Sequence, residues 1–159
     1  MARPSLPDFD GPHPQYNSIL FSPANSPMGQ VQAVQPQSTL ATTEVGRIGD
    51  PTKKTLRQSK TSSVQITLWE DEDLSEIDIA MGGDGTVNSG DTVKLNVDAS
   101  PQTFYIKNYD GVSAAASLLS TIYLYNAVPT TFTAGARQVD GQNVVDVQMA
   151  LEDLYYIKA

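Results

Sequence analysis

A chain of 159 residues has room for one domain. It has no cysteine, which excludes disulfides and thiolate metal sites, and its net charge of −8 argues against a nucleic-acid binder, because phosphate contacts need Lys and Arg. The charge is unevenly spread: residues 61–159 hold fourteen acids and four bases, a net −10, whereas residues 1–60 hold six bases and four acids, a net +2.

Residues 1–15 contain Pro4, Pro7, Pro12 and Pro14, a density that blocks both a helix and a sheet ladder. They read as an extended arm, with Phe9 and Tyr16 as anchors for a partner, ahead of a β domain over 16–159. No apolar stretch of a secretory signal follows Met1, and no run approaches the roughly 18 apolar residues of a membrane span. Tyr16–Phe21 has strand propensity, Ser22–Gly29 reads as a turn, and Met28–Val34 as a weak strand. Gln35–Ala41 is loop-like, and Thr42–Ile48 reads as a short strand stopped at Gly49-Asp50-Pro51. Residues 50–60 form a basic loop carrying Lys53, Lys54, Arg57 and Lys60, facing either solvent or a partner.

Ser62–Trp69 alternates cleanly, with Val64, Ile66 and Leu68 on one face and Ser63, Gln65, Thr67 and Trp69 on the other. The period then changes. Leu74, Ile77 and Met81 fall on one stripe, which predicts a helix over Glu70–Met81, capped by Asp71 or Asp73 and stopped at Gly82-Gly83. Asp84–Asp91 is a turn, and Thr92–Val97 alternates as a strand. Further strands are read at Thr103–Tyr109, Thr121–Val128, Val144–Leu151 and Leu154–Ile157. The turn signals are Asp110-Gly111 and Asp140-Gly141, Pro129–Ala136 reads as a loop, and Val112–Leu119 is ambiguous.

Little in this order carries reaction chemistry. His13, the sole histidine, sits in the Pro-rich arm, whereas a catalytic histidine needs a rigid frame. The Glu70–Asp73 acids diverge around helix faces, and Asp84, Asn88 and Asp91 match no cation-loop template, so they read as an ordinary turn. No spacing defines a nucleophile, base and orienter. The expectation is no enzyme, no catalytic residue, no metal and no cofactor. For the basic segment, a solvated loop stands beside contact with an acidic surface of another copy of the chain.

Four stretches together resemble the major tail tube proteins of tailed bacteriophages: ILFSPANSPMGQVQAV (Ile19–Val34), SSVQITLWEDEDLSEIDIAMGGDG (Ser62–Gly85), TIYLYNAVPTTF (Thr121–Phe132) and VDVQMALEDLYYI (Val145–Ile157). Their order and spacing carry the resemblance, and the long Pro-rich start departs from it. It implies a mainly β fold, a β sandwich or half-barrel with one flanking α-helix. It also implies a structural virion protein, made in the host cytoplasm, whose six-membered rings stack into a tail tube. Its partners would be copies of itself and other tail proteins: sheath if contractile, tape measure, baseplate and terminator. Double-stranded DNA would pass through a negatively lined channel without specific binding, and no membrane is involved. On this reading Leu74, Ile77 and Met81 pack the helix, and Phe9, Tyr16, Lys53, Lys54, Arg57 and Lys60 make contacts between subunits and rings. Asp91, Asp98, Asp110, Asp140 and Asp146 are the candidate lumen acids. Alternatives are a capsid decoration or tail terminator protein, a monomeric carbohydrate-binding sandwich with an aromatic platform around Trp69, and a hydrolase with a carboxylate dyad.

Overall fold

The computed structural model describes residues 17–70, 72–111, 113–139 and 141–159. The 1–15 arm with Phe9 and His13, Tyr16, the capping candidate Asp71 and the candidate lumen acid Asp140 lie outside them. Seven strands and one short helix follow in the order β1 (Asn17–Phe21), β2 (Val31–Val45), β3 (Lys54–Trp69), α1 (Ser75–Ala80), β4 (Gln102–Tyr109), β5 (Leu118–Thr133), β6 (Val144–Leu151) and β7 (Asp153–Lys158).

All pairings are antiparallel, and β5 joins two halves of the sheet. Its first part, Ser120–Tyr125, lies between β4 and β7, and β1 pairs with the far side of β4. Its last part, Val128–Thr133, pairs with β6, which continues the sheet through β3 to β2. The break falls where a proline is tolerated: Pro129 sits at a register shift, on a stretch with a strand partner on one side only.

Alternation decides what is buried. Val64, Ile66 and Leu68 of β3 pair with Met149, Val147 and Val145 of β6, and all six are buried. Phe104, Ile106, Ile122 and Leu124 of β4 and β5 pack into the same cluster, so the inner faces of the two halves share one core. Ile77, Ala80 and Met81 close it from the helix side, with Leu74 partly buried against it. A smaller cluster of Ile19, Phe21, Tyr109 and Ala116 lies on the other face of β1 and β4.

The helix is shorter than the predicted Glu70–Met81. It begins at Ser75, with Leu74 rather than Asp71 or Asp73 at the N-cap position. The approach to it is tied to the β1–β2 turn instead. The Gln30 side-chain amide donates to the Asp73 carbonyl, and the Asp73 carboxylate accepts the Ser75 amide at 3.0 Å. Glu76 accepts the backbone amides of Gly29 and Gln30, one on each carboxylate oxygen, both at 2.6 Å. Charge-assisted bonds of this kind contribute about 1.5–3 kcal/mol each when partly buried. Glu76→Ala is therefore expected to cost about 2–3 kcal/mol in denaturant unfolding, while Glu72→Ala, at an exposed position, costs less than about 0.5 kcal/mol.

Other expectations change as well. Gln35–Ala41 is not a loop and Thr42–Ile48 not a separate strand, because β2 runs unbroken from Val31 to Val45. The basic loop is strand from Lys54 onward. Pro129–Thr133 belongs to β5 rather than to a loop. Thr92–Val97 forms no strand: Val93 packs on the core, but Val97 is 89% exposed and the segment has no ladder partner.

Candidate functional site

The most unusual feature is a two-stranded hairpin that leaves the body. β2 and β3 remain paired from Ser38↔Ser62 out to Val45↔Lys54, beyond the last β3–β6 pair at Ser62↔Leu151. About eight residues per strand at about 3.3 Å each give a projection of roughly 25 Å. Every residue from Thr39 to Thr61 is exposed. A lone hairpin is marginal in water, and this one also presents Leu40, Val45 and Leu56, 44%, 44% and 51% exposed, with a fully exposed Ile48 at its tip.

The base of the hairpin is fastened to the body. The hydroxyls of Ser38 and Ser62 share a hydrogen bond at 2.7 Å, and Lys60 reaches Asp153 at the start of β7 at 2.6 Å. Lys60 is the main reason that the Asp153 carboxyl is held below the usual carboxylate range, with the Leu154 amide second. A carboxylate with a lowered folded-state pKa stabilises the fold above its unfolded value of 3.8, and that contribution is lost as the pH falls. The pair is exposed, so its effect is small.

The sequence-predicted cations all fall on this arm. Lys53 lies 3.8 Å from Glu44. Among the described residues, Lys54 and Arg57 have no salt-bridge partner. The acidic stretch that follows β3, with exposed Glu72 and Asp73, begins at the opposite end of that strand. One copy thus offers a basic arm at one end of β3 and carboxylates at the other.

The half-sheet β2–β3–β6–β5 has a second property. Among the described residues, its border strands are β2, which pairs only with β3, and Val128–Thr133 of β5, which pairs only with β6. These borders run in opposite directions, so copies placed side by side meet with antiparallel edges. Unpaired edges of this length attract further strands. The outer face of this half is polar and, among the described residues, uncovered, and it holds a depression of about 250 Å³ flanked by Gln35, Gln65, Thr130 and Gln148.

Among the described residues, the candidate lumen acids do not converge. Asp91 and Asp98 lie in the exposed segment between α1 and β4, and Asp110 lies in the turn after β4, accepting the Ser117 amide at 2.8 Å. Only Asp146 sits on a sheet face, where its carboxylate accepts the Thr67 hydroxyl at 2.5 Å. The Asp84 and Asp91 carboxylates accept the amides of Thr86 and Asn88, as turn residues do. Among the described residues no group of three His, Asp or Glu side chains is placed to hold a metal ion. Likewise, no helix among them is long and apolar enough to cross a membrane.

Aromatic residues gather away from Trp69. Tyr105, Tyr123 and Tyr155 form a row across β4, β5 and β7, with ring centres 5.2 Å and 5.1 Å apart. Burial raises the Tyr155 pKa, with its tyrosine neighbours adding to the shift. In the same half-sheet Lys107 is buried, its Nζ 4.1 Å from the centre of the Phe21 ring and 2.8 Å from the Asn25 side-chain oxygen, and burial lowers its pKa. The hairpin was the feature least visible in the sequence; the only signal for it was the string of Thr, Val, Leu and Gln on both sides of Gly49-Asp50-Pro51.

No family model matches the sequence, and no curated protein matches it. Solved structures do match. A chain of the sheath–tube complex of an extracellular contractile injection system (PVC) in its extended state superposes with a TM-score of 0.63 at 14% identity, covering 93% of each chain. A chain of the anti-feeding prophage tube-terminating cap gives a TM-score of 0.63 at 12% identity, over 96% of this chain and 95% of that one. A chain of the virion of a native gene transfer agent gives 0.55 at 11% identity, over 88% and 95%. The chain therefore has the fold of chains found in the PVC sheath–tube complex, the anti-feeding prophage cap and the gene transfer agent virion, in line with its resemblance to tail tube proteins.

Proposed function

We propose that this chain is a structural tube subunit, with no catalytic role, that closes into rings of six and stacks them into the tail tube of a phage-like particle. The observation that carries the reading is the projecting β2–β3 hairpin, exposed on all sides and studded with apolar side chains and cations. A neighbouring ring supplies what it lacks. Lys53, Lys54 and Arg57 meet the carboxylates of the next copy, and Leu40, Val45, Ile48 and Leu56 are buried against it. Lys60 holds the root of the arm. Phe9 of the 1–15 arm and Tyr16 just after it make contact with a neighbouring subunit.

Within a ring, β2 of one copy pairs with the last part of β5 of the next, so that four strands per copy continue one closed antiparallel barrel. The barrel encloses the passage through which DNA leaves the particle, and sheath, tape measure, baseplate and terminator proteins complete the tail. The solved tube-terminating cap with the same fold makes a terminator ring the second reading. Negative-stain microscopy of the purified protein separates the two: long tubes with a regular axial repeat support the tube subunit, single rings that never lengthen support the terminator, and monomers at every concentration refute both.

A further inference from the structure

On the tube reading, the wall of the passage is the uncovered face of β2–β3–β6–β5, and its chemistry can be read row by row. One row runs straight across all four strands: Gln35 beside Gln65, Gln65 beside Gln148, and Gln148 beside Thr131. Gln65 points away from the core because its neighbours Val64 and Ile66 are buried. The next row toward the hairpin is Gln37, Ser63, Ala150 and Val128; the next in the other direction is Ala33, Thr67, Asp146 and Thr133. In these three rows Asp146 is the one ionisable side chain, and the Thr67 hydroxyl already donates to it. Charges reappear on the hairpin, where Glu44 lies 3.8 Å from Lys53 and Arg57 stands opposite Thr42. Although the chain has a net charge of −8, these three rows hold one carboxylate per copy, Asp146.

We propose that Gln35, Gln65, Gln148 and Thr131 form an uncharged belt around the passage, and that the wall neither repels nor holds a polyanion. This inference rests on the tube reading and replaces repulsion by indifference. In a negatively lined channel, salt would help a nucleic acid to enter by screening the wall; in a positively lined one, salt would drive it out. Amides and hydroxyls exchange hydrogen bonds with water and cargo alike, and give no salt dependence of either sign.

The test uses preformed tubes of the full chain and a single-stranded DNA oligonucleotide as probe, scored by the fraction protected from nuclease. Wild-type entry is expected to change less than about twofold between about 20 and 300 mM salt. Gln65→Glu/Gln148→Glu tubes should take up less DNA at low salt and recover as salt rises, and Gln65→Lys/Gln148→Lys tubes should do the reverse, by about tenfold or more. Strong salt dependence of the wild type in either direction overturns the proposal, as does an unchanged response in both variants. Because the chain has no cysteine, single-cysteine variants locate the face independently. In tubes, Gln65→Cys should react with a small maleimide but not with a maleimide-coated particle too large for the passage, whereas Tyr125→Cys on the other half-sheet should react with both. Equal reaction of Gln65→Cys with the particle overturns the belt while leaving tube assembly intact; failure of the wild type to form tubes defeats the tube reading itself and the belt with it.

Discussion

Replacing Lys53, Lys54 and Arg57 together by glutamate is expected to shorten or abolish tubes while the monomer stays folded. The three side chains lie on an arm that is exposed from Thr39 to Thr61, so none supports the core. Lys53 loses only a 3.8 Å contact with Glu44. Far-UV circular dichroism and the melting temperature of the monomer should therefore hardly move, because surface changes of this kind usually stay within about 0.5 kcal/mol. Assembly is different. On the tube reading, three reversals per copy, repeated around a ring, turn each attraction to the carboxylates of the next ring into a repulsion. Sedimentation should show the variant as monomers or single rings where the wild type pellets as tubes. A restoring change is also expected: high salt, which screens the new repulsion, should recover some association. Long tubes from the variant at low salt would remove the arm from the stacking interface.

The largest effect on the fold itself is expected at Gly82. It has φ +95°, a left-handed conformation that costs a residue with a side chain about 1–2 kcal/mol. A Cβ built there would lie 2.6 Å from the Ala99 Cβ and 3.2 Å from the Asn96 Cβ. Asn96 is held in place from two sides, its amide donating to the Met81 carbonyl at 3.0 Å and its side chain to the Gly82 carbonyl at 3.2 Å. The new methyl group cannot be accommodated without moving the segment that returns from the helix to β4. Strain and crowding together predict a loss of about 3 kcal/mol for Gly82→Ala, seen as a fall of about 10 °C in melting temperature. Gly90→Ala is the matched control. It has φ +91° with nothing within 4 Å of where the added methyl group would sit, so it should carry the backbone cost alone.

How far the sequence revealed the structure depended on burial. Ser62–Trp69 and Val144–Leu151 were legible because one face of each packs into the core, which imposes a period of two on Val64, Ile66, Leu68, Val145, Val147 and Met149. The outer part of β2 was not legible, because an arm without a buried face imposes no such period. Leu40, Val45 and Leu56 are spaced by a hairpin with a register shift between Leu40 and Thr42, not by a core. Its partner is, on the tube reading, another molecule, and nothing within one copy's sequence marks it. The helix boundary failed for a different reason. The approach to the helix is held by the Gln30 side-chain amide on the Asp73 backbone carbonyl and by the Glu76 carboxylate on the Gly29 and Gln30 amides. Those contacts join segments more than forty residues apart, and local periodicity cannot report them.

The cations of the candidate site were visible as a charge run, though their setting on a strand was not. The acidic lining was implied by the resemblance and fits the net charge, but net charge carries no direction. The carboxylates lie mainly in the segments around α1 and at turns, where water solvates them, while the face of β3 and β6 that is free of the core carries a single carboxylate, Asp146, among Gln, Ser, Thr and Ala, with Trp69 and Val144 at its end.

The most direct test of the account is a cryo-electron microscopy reconstruction of whatever the purified protein assembles into. The account predicts stacked rings in which β2 of each copy hydrogen-bonds to the Val128–Thr133 part of β5 of its neighbour, with the hairpin crossing into the adjacent ring. A reconstruction whose copies leave both of those edges unpaired, or whose hairpins point into empty solvent, would contradict it.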